Sequence, residues 1–123
     1  MSCELIAHAC LDASLRFHFM HVHVESPQFI GLHAFYGDAY EALEGWYDRF
    51  AERARAEGET ARAFSADITV PKGDCLSAAH KLVQTILEEV ESYRAKEDTT
   101  TQAMLDELIE YLGKLAWQIE AMS

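Results

Sequence analysis

Proline is nearly absent from this chain: Pro27 and Pro71 are the only two among 123 residues. Proline breaks helix interiors, so its scarcity leaves long stretches free to be helical. Runs of β-branched residues are scarce as well, which removes the usual signal for a sheet. No stretch of about 20 apolar residues occurs, so no membrane-spanning helix is expected. The string Met1-Ser2-Cys3-Glu4 lacks the basic and apolar regions of a signal peptide, and a cytoplasmic protein is the expectation. Cysteine is limited to Cys3, Cys10 and Cys75, an odd number without a CxxC spacing, so a disulfide framework is not indicated. Cys3 and Cys10 are seven residues apart and read as small buried residues on one helix face.

Positive charge is also in short supply, with 10 Lys and Arg against 21 Asp and Glu and a net charge of −11. Such a balance repels a phosphate backbone, and neither end carries a basic arm, so no DNA binding is expected. An acidic surface does concentrate cations around itself. No Gly-rich phosphate loop, Gly-x-Ser-x-Gly elbow or paired CxxC zinc pattern is present. The Glu-x-x-His pair that builds di-iron centres inside one helical bundle is missing too.

What the chain has is apolar residues, half of the total, enough for a single domain spanning residues 1–123. Four amphipathic helices can be drawn. The first runs from about Glu4 to Val24, with Leu5, Ala9, Leu15, Phe19 and Val22 in helical phase, and ends at Glu25-Ser26-Pro27. The second begins near Ser26 with Pro27 as its first helical residue and continues to about Glu57, where Gly58 caps it. Residues 59–74 break the pattern, and Ala66 to Asp74 reads as loop or briefly extended. The third helix, about Cys75 to Ala95, carries Leu76, Ala79, Val83, Ile86, Val90 and Tyr93 on one stripe. The fourth is capped by Asp98, Thr99 or Thr100 and buries Leu105, Leu108, Leu112, Leu115, Ile119 and Met122. The fold class expected is all-α, a four-helix bundle with one long crossover between the second and third helices.

One constellation carries chemistry: His21, His33, Asp48 and Glu52, spaced by twelve, fifteen and four. Imidazole and carboxylate are the donors that hold iron, zinc and other first-row divalent ions. Asp48 and Glu52 share a helix face, but His33 and Asp48 on one helix would stand roughly 22 Å apart. A single ion cannot bridge that span within one chain. A common site therefore needs two antiparallel copies, one giving histidines and the other carboxylates. Accessory donors are His18, three residues before His21, together with Asp38 and Glu44; Glu41 also lies on this polar stretch. His8 and His80 show no obvious partner in sequence, and Trp46, Tyr47 and Trp117 are expected to pack in the bundle or in a dimer interface.

These residues resemble the Dps miniferritins of the ferritin-like superfamily. His21 sits where the family places its first ligand. The segment Ser26-Pro27-Gln28-Phe29-Ile30-Gly31-Leu32-His33 resembles its turn and Phe-x-x-Leu-His motif, and Asp48-Arg49-Phe50-Ala51-Glu52-Arg53 its Asp-x-x-Ala-Glu-Arg signature. The likeness covers about Phe17 to Glu57 and extends to Glu97 through Met122, where Asp98-Thr99-Thr100-Thr101 and Lys114-Leu115-Ala116-Trp117 look like the ends of the family's last helix. Two positions depart from the pattern: Val22 stands where a tryptophan is usual, and Gly37 where many members carry a further acidic ligand.

The resemblance implies a ferroxidase that binds Fe(II) at His21, His33, Asp48 and Glu52 across a two-fold interface. It implies hydrogen peroxide as oxidant, with dioxygen as a slower substitute. It also implies a homo-oligomer, a hollow dodecamer, that stores or detoxifies iron as ferric mineral, with Glu97 and Asp98 near its entry pores. The basic N-terminal extension that many members use on DNA has no counterpart here. Two readings of other classes stay open on the residues alone: a non-catalytic helical assembly, and a protein that binds zinc or another divalent ion for structure only.

Overall fold

The structure, a computed structural model, describes residues 3–123. Four helices account for it: α1 (Cys3–His23), α2 (Phe29–Ala56), α3 (Leu76–Arg94) and α4 (Thr99–Met122). No strand occurs among the described residues. None of these helices is long and apolar enough to cross a membrane. By contacts the chain divides into two compact units, one ending at Cys75 and one running from Leu76 to Ser123.

The first unit is a hairpin of α1 and α2 with the connection 57–75 laid on it. The helices run antiparallel: as α1 advances seven residues, from Ser14 to His21, its partner on α2 recedes seven, from Tyr40 to His33. The turn between them corrects the sequence reading. Pro27 is not the first helical residue; it lies in a turn in which Ser26 Oγ accepts from the Gln28 amide, and Gln28 caps a helix that starts at Phe29. The far end follows expectation. Gly58 adopts φ +78°, its N–H meets the Arg55 carbonyl, and the Glu59 N–H reaches the Ala54 carbonyl. That pair of bonds is a Schellman stop, which favours glycine because a Cβ is strained at positive φ.

The buried face of α1 differs from the stripe drawn on the sequence. Ile6, Ala7, Cys10, Ala13, Phe17 and Met20 are buried, whereas Leu5, Ala9 and Leu15 are half-buried and Phe19 and Val22 are 42% and 56% exposed. The helix is apolar on two sides, so periodicity could not tell which side faces the core. On α2 the buried set is Leu32, Tyr36, Ala39, Leu43, Phe50 and Ala54. Cys3, Cys10 and Cys75 are all buried and none is in a disulfide, as expected of small core residues.

The connection 57–75 has no regular structure, and side chains and backbone tie it down. Arg16 Nη2 donates to the Asp67 carbonyl, the Glu25 amide to the Gly73 carbonyl, and the Tyr36 hydroxyl to the Asp74 carbonyl at 2.5 Å. The Phe64 ring lies against His8. Cys75, at φ 64°, turns the chain into α3.

The second unit is another antiparallel hairpin, in which His80 meets Glu120 and Arg94, fourteen residues later, meets Asp106, fourteen residues earlier. Asp98 is the cap of α4, its carboxylate accepting from the Thr101 amide at 2.8 Å. Leu105, Leu108, Leu112, Leu115 and Ile119 are buried as read, and Val83, Ile86 and Val90 answer from α3. Tyr93 and Met122 are only half-buried.

Candidate metal centre

His21 lies in the last turn of α1 and His33 in the second turn of α2, so the antiparallel register brings them face to face. Their rings stack, with centroids 3.7 Å apart and planes 17° off parallel. Their hydrogen bonds are reciprocal. His21 Nδ1 lies 2.6 Å from the His33 carbonyl oxygen, and His33 Nδ1 lies 2.6 Å from that of His21. A carbonyl can only accept, so both Nδ1 atoms carry hydrogen, and each neutral ring keeps its lone pair on Nε2. Fixing one ring nitrogen on a carbonyl is how proteins orient a metal-binding histidine.

The local backbone explains why this latch forms. The His21 carbonyl belongs to the final turn of α1, where carbonyls lose their intrahelical donors. The Glu25 amide, which would have continued the ladder, bonds Gly73 instead. His33 supplies the missing donor. On the other side, the His21 ring approaches α2 at Gly37: a Cβ placed there would stand 2.9 Å from His21 Nδ1 and 3.0 Å from Cε1. Phe29 stacks on His33 at 5.0 Å, and Tyr40 stands 5.4 Å from His21. Both histidines are half-buried, so the pair is shielded by aromatic rings without being sealed.

The other expected donors do not join them within this chain. Asp48 and Glu52 are exposed, one turn apart, on the same unbroken helix α2 as His33. His18 is exposed and stacks on Tyr40 with centroids 3.9 Å apart and planes 1° off parallel; its ring stands 6.2 Å from that of His21. Asp38, Glu41 and Glu44 are exposed along α2. Asp98 is occupied as the helix cap described above. His8 and His80 do have partners, which the sequence did not reveal: Glu4 at 3.5 Å and Glu120 at 3.0 Å. Trp46 packs on Phe50 with the Arg49 guanidinium over its ring, and Trp117 is 59% exposed rather than packed within the chain.

A second gathering of donor atoms was not visible in the sequence, because Cys3 is more than fifty residues from the two glutamates it meets. Cys3 Sγ, Glu57 and Glu59 lie within reach of one another at the start of α1. Glu59 accepts from the amides of Cys3 and Glu4 at 3.1 and 3.3 Å, and Cys3 Sγ donates to Glu57 at 3.3 Å. Carboxylate oxygens on the free amides of a helix N-terminus form a cap, favoured by the helix dipole. Inside the hairpin, burial pushes the Tyr36 phenol well above the ordinary tyrosine range, with Cys75 and Asp74 adding to the shift. Burial and then Asp74 likewise push the Cys75 thiol up.

Comparison with known proteins places this architecture. The ferritin-like domain family matches residues 4–123, and the chain belongs to it. Among solved structures, its all-α fold is that of Dps proteins. A tetragonal form of Mycobacterium smegmatis Dps superposes with a TM-score of 0.89 at 21% identity, covering 98% of this chain and 83% of that one. A C-terminal deletion mutant of the same organism's Dps gives 0.86 at 22%, covering 97% and 92%. Dps92 from Deinococcus radiodurans gives 0.86 at 19%, covering 97% and 81%. No curated protein matches by sequence.

Proposed function

We propose that this protein is a Dps-like ferroxidase whose centre is shared between two copies of the chain. The observation that carries the reading is the latched His21–His33 pair, in which each Nδ1 is committed to a carbonyl and each Nε2 is left to bind metal. Two nitrogen donors leave most of a divalent ion's coordination open. Asp48 and Glu52 of a second, antiparallel copy supply the carboxylates that favour Fe(III) over Fe(II). A two-fold interface repeats the arrangement, so each dimer holds two sites. The exposed apolar side chains of Phe19, Val22, Phe29 and Ile30, the last 87% exposed, flank the histidines and support self-association on this face. The family match over residues 4–123 supports treating the two units as one domain.

In this reading Fe(II) is the substrate. Two Fe(II) ions give one electron each to hydrogen peroxide; its O–O bond breaks and, with two protons, two waters form. Dioxygen serves more slowly. The histidines bind and orient the ion, the partner's carboxylates stabilise the added charge, and Phe29 and Tyr40 limit water around the ring pair. Assembly into a closed dodecamer would place an anionic surface around stored ferric mineral, consistent with the net charge of −11 and unsuited to DNA. A cytoplasmic setting suits three cysteines that form no disulfide. The same donors accept zinc, so a purely structural divalent-metal role is the competing reading.

Turnover separates them. Fe(II) added without oxygen and then pulsed with peroxide should form ferric product rapidly in the wild type. The His21→Ala/His33→Ala double variant should lose at least about ten-fold in rate, since even loss of a ligand's orienting partner costs that much. Equal slow oxidation in both proteins would reject the ferroxidase reading.

A further inference from the structure

Helix α2 carries three glycines in its span, Gly31, Gly37 and Gly45. Glycine inside a helix is unfavourable relative to alanine, so each position invites a reason. A Cβ at Gly31 or Gly45 would meet nothing within 4 Å, whereas at Gly37 it would meet the His21 ring at 2.9 Å. The ring has little freedom to give way. Its Nδ1 is held on the His33 carbonyl at 2.6 Å, its face lies on His33, and Tyr40 stands beside it.

Resting on the reading of His21 and His33 as metal ligands, we propose that Gly37 is a positioning residue of the centre. The missing Cβ admits the His21 imidazole against α2, which puts its Nδ1 on the His33 carbonyl and its ring face on that of His33. A side chain at position 37 and the latched His21 exclude each other in this arrangement. Each chain therefore offers a pair of nitrogens without a carboxylate of its own at position 37, and the acidic donors have to come from a second copy. Two neutral imidazoles bind borderline ions such as Zn(II) in preference to hard ones such as Mg(II), so the latch also sets the selectivity of the first binding step.

The experiment compares the wild type with Gly37→Ala and, as a control in the same helix, Gly45→Ala. Imidazole nitrogen NMR shifts of the metal-free protein read the tautomers, and calorimetry with Zn(II) alone reads the chelate. The wild type and Gly45→Ala should show His21 and His33 protonated at Nδ1. In Gly37→Ala, His21 should lose that single tautomer, and Zn(II) affinity should fall by about ten-fold or more, the usual effect of losing a ligand's orienting hydrogen bond. The proposal is overturned if wild-type His21 carries its hydrogen on Nε2. It is overturned as well if Gly37→Ala keeps the wild-type tautomer and binds Zn(II) within about two-fold, a difference below 0.5 kcal/mol. A wild type that binds no Zn(II), while Gly37→Ala still shifts the His21 tautomer, would support the placement of His21 and sink the metal-centre reading.

Discussion

An imidazole with Nδ1 committed to a carbonyl has one nitrogen left to offer, and His21 and His33 commit each other in this way. The residue types and their spacing of twelve were legible in the sequence; the reciprocal bonds were not, because they depend on where α1 ends and on the register of the hairpin. Gly37 was legible only as the absence of a carboxylate, and its contact with His21 appears once both helices are in place. A second residue-scale expectation concerns Tyr36, whose hydroxyl donates to the Asp74 carbonyl beneath the pair. Tyr36→Phe should lower stability by about 1 kcal/mol, the usual net value of such a bond. Burial raises the folded-state pKa of Tyr36 above its ordinary 10.0. The unfolded chain therefore releases this proton first, and the associated stability, complete below pH 10, is lost as pH rises beyond it. Denaturant titrations across the alkaline range should show a shallower decline for Tyr36→Phe than for the wild type; equal slopes would contradict the assignment.

At the scale of elements, the helices begin and end where backbone chemistry demands. Gly58→Ala places a Cβ at φ +78° and should cost about 1 kcal/mol, and Asp98→Ala removes the α4 cap at a similar cost of about 1 kcal/mol. Chemical denaturation measures both, and changes below about 0.3 kcal/mol would argue against these roles. The stop at Gly58 was readable because glycine favours positive φ, whereas the start of α4 was narrowed only to Asp98, Thr99 or Thr100, of which Asp98 is the cap. Pro27 was misplaced by two residues, since Ser26 and Gln28 close a turn of their own before α2. The buried face of α1 escaped the sequence for a different reason. With Ile6, Phe17 and Met20 on one side and Phe19 and Val22 on another, both sides look like a core, and only packing against α2 decides between them.

That second apolar side matters at the scale of the whole molecule. Phe19, Val22, Phe29 and Ile30 leave the neighbourhood of the histidines partly uncovered, and Asp48 and Glu52 remain exposed on α2, roughly 22 and 28 Å from His33. Self-association over this face would bury the apolar residues and complete the donor set in one step. Ile30→Asp should weaken that association, shifting the protein to smaller species in sedimentation experiments and slowing Fe(II) oxidation with it. Unchanged assembly would place the interface elsewhere.

The central claim is that the centre is built in trans, and mixing defective chains tests it most directly. His33→Ala and Asp48→Ala proteins are each expected to be inactive with Fe(II) and peroxide. When the two are co-expressed in equal amounts, half of the two-fold pairs are mixed, and each mixed pair regains one of its two sites. About a quarter of the wild-type activity should return. A mixture no more active than its two parents would contradict the shared centre.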